Sequence, residues 1–380
     1  MNDTDTDTLD THALYRVGQY LWQCGSPVLI LVGTVGNVLS ILVLRRPKLR
    51  QSTTMFYLTC LSFGDLFTLY TGLLRYWISE TFGEDIRNIS SVSCKLHTFL
   101  VYYSLDITVW ILVSVTLDRC VSVSLPFKSK RICTIPKAKL VIIILLLVFL
   151  FKNLHFFWTV DLVQTWEYRC DANTPDVEDF LRYVWPWIDL ATFCVIPFTI
   201  MILANIKMIY EMIISQRKLE AHRSYRGGPV TDSAHFPSPA SFPNQSGVSL
   251  HSMTTQEHTA VNGISRTDRQ MSQASSKARK RIPSLTAMLL TINCVFLITT
   301  SPIQAFLIGE EYWFAKRTMN DIAKYKLWWS IVNMLQYLNN AIHFFLYCLT
   351  GPRFRDELKA MVSRRNKVAV TVIERTHTDL

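Results

Sequence analysis

The dipeptide Asp118-Arg119 lies at the end of a long apolar stretch, within the sequence TLDRC. Hydrocarbon penalises both charges, so the pair marks a membrane boundary, a buried ion pair or a working part of the protein. Asp65, Asp106 and Asp189 also lie deep within apolar stretches. Carboxylates in such positions need polar or cationic partners and are functional candidates by default.

The residue sets typical of catalysis are missing from the sequence. His97, His155 and His343 lie in three separate apolar stretches, and no nucleophile elbow, phosphate loop or metal-ligand cluster accompanies them. We therefore expect neither an enzyme nor a metal centre. The role of the charged residues then depends on the elements that carry them.

The composition of the chain is strongly apolar. Of its 380 residues, 49% are hydrophobic and only 18% are charged, compared with about 25% charged residues in soluble domains. Seven apolar runs reach the ~20 residues needed to cross a bilayer core. These runs, named spans 1 to 7, are roughly 27–46, 55–78, 95–118, 138–160, 184–212, 285–308 and 327–350. The sequence predicts an all-α membrane protein, a seven-transmembrane helix bundle over residues 27–350.

The segments that connect the spans differ in charge. Basic residues gather after spans 1, 3 and 7 and before span 6, whereas acidic residues gather before span 1 and after spans 2 and 4. Since short cytoplasmic loops collect Lys and Arg, we expect a multi-pass plasma-membrane protein with an extracellular tail at 1–26 and a cytoplasmic tail at 364–380. The net charge of +10 then reflects orientation rather than nucleic-acid binding. No cleavable signal peptide is visible, so we expect span 1 to insert the chain.

Two further segments lie on the expected cytoplasmic side. Residues 222–276 are rich in Ser, Thr, Gly, Pro and His without apolar periodicity, which predicts a disordered loop. After span 7, residues 351–363 place Phe354, Leu358 and Met361 on one face. This pattern predicts a short amphipathic eighth helix on the inner membrane lipid.

Cysteines and glycosylation sequons mark the expected outer surface. Cys94 opens span 3 and Cys170 follows span 4, so both lie in an oxidising compartment and we predict a disulfide between them. The alternative is that all nine cysteines are unpaired thiols, as we expect for Cys24. Asn2 and Asn88 begin outer sequons and are candidate glycosylation sites.

Several short motifs follow one another in a set order. They are Gly36-Asn37, LSFGD ending at Asp65, Cys94, Asp118-Arg119, Cys170, Pro197, Pro302 and Tyr347. In this order they resemble the rhodopsin-like G-protein-coupled receptors, from about residue 25 to residue 362. A transporter or channel, the rival class of membrane protein, usually shows paired repeats or charged pore linings, and neither is evident in the sequence.

The resemblance gives the opening pair a role. It implies that Asp118 holds Arg119 in the resting state and releases it when span 6 moves outward and a helix of a heterotrimeric G protein enters. Phe296, Pro302 and Tyr347 would belong to the same activation switch. The alternative is a simple interfacial anchor.

The resemblance also implies a polar network around Asp65. Asn37, Thr108, Asn339 and Asn340 are its candidate partners on neighbouring spans, and the cluster would bind a sodium ion that favours the inactive state. The alternative is a hydrogen-bonded water network without a specific ion.

The switch residues depart from the family pattern. Cys120 stands where Tyr is usual, Thr300 where a Trp switch is usual, and His343-Phe344 where Asn-Pro is usual. The Trp switch and the sodium site therefore do not carry over directly. The basic end of span 6 also lacks an acidic residue, which leaves Asp118 as the main restraint on Arg119.

The sequence narrows the class of ligand. Val101 stands where amine receptors carry Asp, and span 7 has Tyr337 where opsins carry the retinal Lys. The acidic outer loops favour a basic or amidated peptide. PFKSKRICTIPKAK and LNNAIHFFLYCL resemble invertebrate neuropeptide receptors of the FMRFamide type. The alternative is a receptor for a lipid or another small molecule.

Four residues are candidates for contact with the ligand. Asp106 and Asp189 could receive an arginine of the peptide, unless Lys152 in span 4 neutralises either of them. Tyr337 and Trp77 could form aromatic walls, although aromatic residues near a membrane surface also populate its interfacial belt.

The C-terminus suggests further cytoplasmic partners. Thr378 and Leu380 match the terminal motif that PDZ domains bind by strand addition. Thr371, Thr376 and the Ser-rich loop could be phosphorylated, and the added charge would favour arrestin-like partners.

Overall fold

The computed structural model describes residues 12–164, 168–226, 281–313 and 318–363. Seven long helices follow one another in chain order: Ala13–Leu44, 53–82, Ser91–Ser124, 135–159, 175–226, Arg281–Trp313 and Met319–Thr350. A turn at 154–155 interrupts the fourth helix. The predicted all-α bundle with seven spans is thereby confirmed. Residues Ile209–Ser284 form a second compact unit, of which the structure describes 209–226 and 281–284.

The spans differ in polarity. Five of the described helices are long and apolar enough to cross a membrane by length and composition, and the helices of spans 2 and 7 are more polar. The reason lies on their buried faces, which carry Asp65, Asn333, Gln336 and Asn340. Polar side chains are tolerated in membrane helices where they face the bundle interior.

Side-chain caps and one glycine set several helix boundaries. The Ser90 hydroxyl accepts a hydrogen bond from the Ser93 amide at the start of span 3, and Thr318 forms a capping box with Asp321 at the start of span 7. Gly83 ends span 2 with a φ of 75°, a left-handed conformation that glycine adopts without steric cost. Local sequence therefore fixes where these helices begin or end.

The helix of span 1 begins at Ala13, before the apolar run that starts at about residue 27. A π-helical turn at Leu21–Gly25 joins the segment Ala13–Tyr20 to the rest of the span. The first segment packs closely on span 7, where Gly18 lies against the backbone of Lys326 and Leu327. Its sequence carries too many polar residues for a hydropathy criterion to recognise it, and packing against span 7 makes it helical.

Two more spans contain π-helical turns near the disulfide end of the bundle, the end that carries Cys94. They lie at Leu69–Leu73 in span 2 and at Phe180–Val184 and Leu190–Val195 in span 5. A π turn inserts one extra residue and is frequent at functional sites. In span 2 it changes the direction of the side chains that follow it, including Arg75 and Tyr76.

A β-hairpin and a disulfide close the disulfide end. Strand β1 (Val160–Gln164) pairs antiparallel with strand β2 (Tyr168–Ala172), and Leu162 lies opposite Cys170. Cys170 is bonded to Cys94, with their Cα atoms 5.3 Å apart. The predicted disulfide is confirmed, and Cys24 is free and exposed.

The opposite end, named here the Arg119 end, contains the largest apolar cluster. Its buried members come mainly from spans 2, 3 and 6 and include Leu58, Leu112 and Leu289. Close approach between spans 2 and 3 requires Gly64, since a Cβ there would lie 2.7 Å from the Thr108 Cγ2. Small residues at helix contacts serve the same purpose in membrane bundles generally.

A helix at 352–363 follows span 7, as predicted for the amphipathic segment. Phe354 is buried against Tyr347, with ring centroids 5.5 Å apart. Glu357 forms ion pairs with Arg46 at 2.7 Å and Lys48 at 3.1 Å. The apolar face of this helix therefore packs on the bundle.

Other predicted segments lie partly or wholly outside the described residues. The helix of span 5 extends to Arg226, so residues 222–226 of the predicted disordered loop are helical. The remainder of that loop, the sequon at Asn2 and the C-terminal residues Thr378 and Leu380 are outside the described part of the chain.

Candidate functional site

A cavity of about 190 Å³ opens at the disulfide end, among spans 2, 3, 5, 6 and 7. Its aromatic walls are formed by Tyr76, Tyr102, Phe193, Trp329 and Tyr337. Its polar lining is formed by Arg75, Arg87, His97, Asp189, Gln304 and Gln336. Apolar walls with a few converging polar groups are the usual form of a ligand site.

Two of the four predicted ligand contacts line this cavity, namely Asp189 and Tyr337. Trp77 does not: its indole N–H donates to the Gln23 carbonyl at 3.2 Å, and its ring lines a separate groove with residues of span 1. Asp106 is only 1% exposed and lies outside the cavity lining. The expectation that Trp77 and Asp106 face the ligand is therefore not supported by the geometry.

Sequence reasoning missed several polar residues of the cavity, among them His97 and Gln304. The sequence of span 7 contains a pattern that indicates this wall. Trp329, Asn333 and Gln336 recur at helical spacing, and they line one side of the cavity.

Asp106 and Asp189 are joined by one lysine. The Lys152 ammonium donates to both oxygens of Asp106 at 3.0 Å and to Asp189 Oδ1 at 2.9 Å. The Asn153 amide also donates to Asp106 at 2.8 Å, and the Lys152 ammonium lies 5.1 Å from the Trp185 ring centroid. Lys152, which the sequence offered as a partner for either carboxylate, bonds both of them. Two carboxylates and one ammonium leave a formal charge of −1.

A second cluster has the opposite charge. Asp85 accepts hydrogen bonds from Arg75 at 3.1 Å and from Arg87 at 2.9 Å, which leaves a formal charge of +1. Burial acts to raise the pKa of Asp85, but the hydrogen bond from Arg87 and the charge of Arg75 outweigh it and hold that pKa below its usual value. This cluster connects span 2 to the 3₁₀ helix Ile86–Ile89 at the cavity mouth.

Asp65 is paired with a residue that sequence reasoning did not consider as its partner. Its Oδ2 lies 2.7 Å from His343 Nδ1, and both side chains are at most 1% exposed. The expected partners bond elsewhere: Thr108 donates to the Leu105 carbonyl. The Asn37 amide donates to the Asn340 carbonyl. The departure at His343 was visible in the sequence, but its contact with Asp65 depends on how spans 2 and 7 are rotated.

This geometry does not fit the sodium site that the resemblance implied. A hard cation prefers a set of oxygen ligands, and here an imidazole nitrogen lies against one carboxylate oxygen of Asp65 while the Thr108 hydroxyl donates to backbone. The predicted network of five polar residues is therefore replaced by a carboxylate–imidazole pair.

Asp118 and Arg119 form a partly buried ion pair at the Arg119 end. The Arg119 guanidinium lies 3.0 Å from Asp118 Oδ2, with side-chain exposures of 16% and 7%. Thr53 and Thr54 of span 2 donate to the same oxygen at 2.8 and 3.3 Å. Span 2 therefore holds Asp118 in place, and Asp118 holds Arg119.

Two other proposed switch residues, Phe296 and Pro302, lie on span 6. Phe296 packs edge-to-face on Phe198, with centroids 5.3 Å apart, and Pro302 lies inside the helix of span 6. Sequence reasoning missed a hydrogen-bond chain in which Asn293 of span 6 donates to Thr116 of span 3 and Asn205 of span 5, both at 3.0 Å. This chain connects spans 3, 5 and 6.

Comparison with known proteins agrees with this architecture. The chain matches the family described as 7 transmembrane receptor (rhodopsin family) over residues 36–347. It belongs to this family, as the predicted resemblance indicated. Members of the family are multi-pass membrane receptors and are generally not enzymes.

Individual relatives include receptors named for peptides. FMRFamide peptide receptor frpr-18 of Caenorhabditis elegans is 27% identical over 212 residues, which are 51% of this chain and 47% of the nematode protein. The thyrotropin-releasing hormone receptor of Homo sapiens is 23% identical over 349 residues, 88% of this chain and 76% of the human one. Growth hormone secretagogue receptor type 1 of Sus scrofa is 28% identical over 120 residues, 31% of each chain. The chain thus spans about half the length of the nematode receptor.

Proposed function

We propose that this receptor binds an extracellular peptide at the cavity of the disulfide end and signals to a heterotrimeric G protein at the Arg119 end. The observation that carries the proposal is the cavity itself, in which aromatic walls surround Asp189 and two arginines. The printed names of the relatives support a peptide ligand. Asp189 and Tyr337 are the sequence-predicted contacts that remain in this proposal.

The helix of span 3 connects the two functional ends. It runs from Ser91 to Ser124 over 34 residues, which corresponds to about 50 Å at 1.5 Å per residue. It carries Cys94 at one end and Asp118-Arg119 at the other. A ligand that favours a different packing of spans 5 and 6 would strain the Thr116–Asn293–Asn205 chain and shift the bundle between two arrangements.

The activation switch in this proposal is the Asp118–Arg119 pair together with Phe296, Pro302 and Tyr347. In the resting arrangement, Thr53 and Thr54 secure Asp118, so Arg119 is held at the end of span 3. Release of Arg119 would supply a cation to the incoming helix of the G protein. The His343–Asp65 pair replaces the expected sodium ion as the polar link between spans 2 and 7.

The proposed receptor lies in the plasma membrane with its N-terminal tail outside and its C-terminus inside. The disulfide and the Asn88 sequon then face the oxidising side, and the Asn88 Oδ1 accepts a hydrogen bond from the Cys170 amide. Arrestin and a PDZ-domain protein remain proposed partners through the C-terminal tail, including Thr378 and Leu380. Membrane lipid surrounds the spans, and the exposed Leu31, Leu140 and Leu203 suit that contact.

A calcium assay tests the proposal. Cells expressing the chain with a promiscuous G protein are exposed to a library of amidated and free-acid peptides, with Phe-Met-Arg-Phe-amide among them. We expect a response that Arg119→Ala abolishes and that Arg131→Ala, a change to an exposed arginine in the neighbouring loop, leaves unchanged.

Two outcomes would contradict the proposal. The first is silence toward every peptide at confirmed surface expression, combined with a response to a lipid mixture, which would make a lipid the ligand. The second is a peptide response that Arg119→Ala does not alter, which would separate the Asp118–Arg119 pair from signalling.

A further inference from the structure

The cavity has two oppositely charged ends. Asp189 belongs to the cluster with a formal charge of −1, and it is the member of that cluster that lines the cavity. Arg75 and Arg87 belong to the cluster with a formal charge of +1, and both line the same cavity. The counter-charges Lys152 and Asp85 lie outside the lining. A ligand in the cavity therefore meets a carboxylate and two guanidinium groups.

Asp189 is suited to receive a cation. Lys152 is shared with Asp106, which engages the ammonium through both oxygens and is 1% exposed, whereas Asp189 engages it through Oδ1 alone and is 18% exposed. Excess negative charge in a medium of low dielectric is costly until a cation compensates it. A guanidinium or ammonium group of the ligand would supply that compensation.

Arg75 and Arg87 are suited to receive an oxygen acceptor. Each guanidinium has five N–H donors, and a single carboxylate offers about four acceptor positions. Asp85 therefore cannot accept from all the donors of both arginines. Arg75 also lies over the Tyr76 ring, 4.5 Å from its centroid, which places its guanidinium at the aromatic wall of the cavity.

The size of the cavity limits what can enter. Its volume of about 190 Å³ is below the ~300–1,000 Å³ of pockets that enclose a drug-sized ligand. A whole peptide does not fit, but one end of a peptide does. Tyr102, Trp329 and Tyr337 offer that end an apolar and aromatic surface.

We propose that the cavity binds a peptide end that carries both a cation and a terminal oxygen acceptor. The cation lies against Asp189, the carboxylate or carboxamide oxygen lies against Arg75 and Arg87, and an apolar side chain between them packs on the aromatic walls. This assignment rests on the proposed function only in that the ligand is a peptide. It adds to the proposed function the two groups of the peptide that are recognised. It also adds that only one end of the peptide enters the cavity.

Four small probes test each end separately. All four are acetylated at the N-terminus, so that the arginine side chain is the sole cation: Arg-Phe-amide, Arg-Phe free acid, citrulline-Phe-amide, which lacks the cation, and arginine phenethylamide, which lacks the terminal acceptor. Their dissociation constants are measured on the purified full-length receptor by titrated thermal unfolding. We expect loss of the cation or of the terminal acceptor to weaken binding by about tenfold, which is ~1.4 kcal/mol. The stronger of the amide and the free acid identifies the acceptor.

Variants assign each loss to one end of the cavity. Asp189→Asn is expected to remove the difference between Arg-Phe-amide and citrulline-Phe-amide while keeping the dependence on the terminal acceptor. Arg87→Gln is expected to do the reverse. Arg87 is preferred to Arg75 because Arg75 and Asp85 remain paired in this variant, so the connection between span 2 and the loop is kept.

Matched controls come from the outer hairpin. Arg169 and Asp171 form an exposed ion pair on β2 outside the cavity lining, and Arg169→Gln and Asp171→Asn should leave all four constants unchanged. The proposal is overturned if no dipeptide binds, or if Asp189→Asn and Arg87→Gln weaken every probe equally. If the assignment of the cavity is overturned but peptides still signal in cells, the proposed function stands. If the dipeptides bind with the expected pattern but no peptide signals, only the proposed function is overturned.

Discussion

The membrane core contains two buried carboxylate clusters that differ in how their charge is matched and in what they face. Asp65 has one imidazole partner, His343, and both are sealed from solvent at 0% and 1% exposure. Asp106 and Asp189 share the single ammonium of Lys152, and Asp189 is open to the cavity at 18% exposure. One carboxylate with its own partner forms a closed contact between spans 2 and 7. Two carboxylates with one ammonium form an open cluster that can accept another cation.

The depth of a carboxylate in the membrane does not by itself identify a ligand contact. A buried charge costs several kcal/mol unless it is paired, so each deep carboxylate needs a partner before any role in binding. The useful distinction is whether every carboxylate of a cluster has a partner of its own or shares one with another carboxylate. By that criterion Asp65 is structural. In the Lys152 cluster, Asp106 is buried and bonded through both oxygens, so Asp189 is the carboxylate available to a ligand.

The largest effect is expected from Lys152→Met, which leaves two carboxylates without their ammonium. Removing one partner of a buried ion pair costs about 3–5 kcal/mol, so we expect little folded receptor at the cell surface. Surface labelling and thermal unfolding provide the measurement. Lys139→Met, an exposed lysine on the same span, is the matched control.

A double variant separates the effect of the charge of Lys152 from the effect of its packing. Adding Asp106→Asn to Lys152→Met removes one of the two stranded charges, and we expect surface expression to recover in part because contacting residues are energetically coupled. Equal expression of the single and double variants would show that Lys152 acts through packing against Trp185 rather than through its charge.

The sequence predicted the two clusters to different extents. Hydropathy and the order of motifs were enough for seven spans, the disulfide and the position of Asp118-Arg119, because each depends on local composition or on one contact. Lys152 was named as an alternative partner because it was the lone cation deep in span 4. Nothing local indicated that it would bond both Asp106 and Asp189, since that depends on the rotation of spans 3, 4 and 5 about their axes.

The cavity and the Asp65 pair show the same limit. The π-helical turns in spans 2 and 5 insert a residue that no sequence pattern announced, and they change which side chains face the interior. Trp77 was expected at the cavity, and the structure places it in a separate groove with residues of span 1. His343 was noted as a departure from the family pattern, but its contact with Asp65 required the packing of two distant spans.

A medium effect is expected from His343→Asn, which tests whether the closed cluster excludes sodium. The asparagine amide can still donate to Asp65, and its oxygen adds a ligand that suits a hard cation. We expect the melting temperature of the natural receptor to be the same in sodium and potassium chloride at equal concentration. In the variant, sodium should raise the melting temperature by about 2 °C or more relative to potassium, which corresponds to a stabilisation of roughly 1 kcal/mol.

The control for ion specificity is Asp65→Asn combined with His343→Asn, which removes the carboxylate and should abolish any difference between the salts. A sodium-specific shift in the natural receptor would contradict the interpretation, because it would mean that the cation binds beside His343.

A smaller effect is expected at the Arg119 end, where Asp118 has its own cation and two hydroxyl donors. Thr53→Val removes the shorter of the two hydroxyl bonds, and a hydrogen bond to a charged group contributes about 1.5 kcal/mol. We expect basal nucleotide exchange on the G protein to rise by up to about tenfold, because the resting arrangement loses that stabilisation. Thr59→Val, whose hydroxyl bonds only the Met55 carbonyl within the described residues, should leave the basal rate unchanged. An unchanged rate in Thr53→Val would mean that the bond persists in the active arrangement.

The smallest effect is expected from Glu357→Gln, where one carboxylate is shared by Arg46 and Lys48 at the edge of the bundle. Burial alone would raise the pKa of Glu357, but hydrogen bonds from Lys48 and Arg46 lower it from its ordinary value of 4.5. A lowered pKa means that the stabilisation is complete above pH 4.5 and is lost as pH falls through the lower value. Ion pairs near the surface contribute about 0–1 kcal/mol, so the variant should melt at most about 2 °C lower at pH 7. The difference should shrink in acid, and a difference that stays constant below pH 4 would show that the carboxylate does not act through its charge.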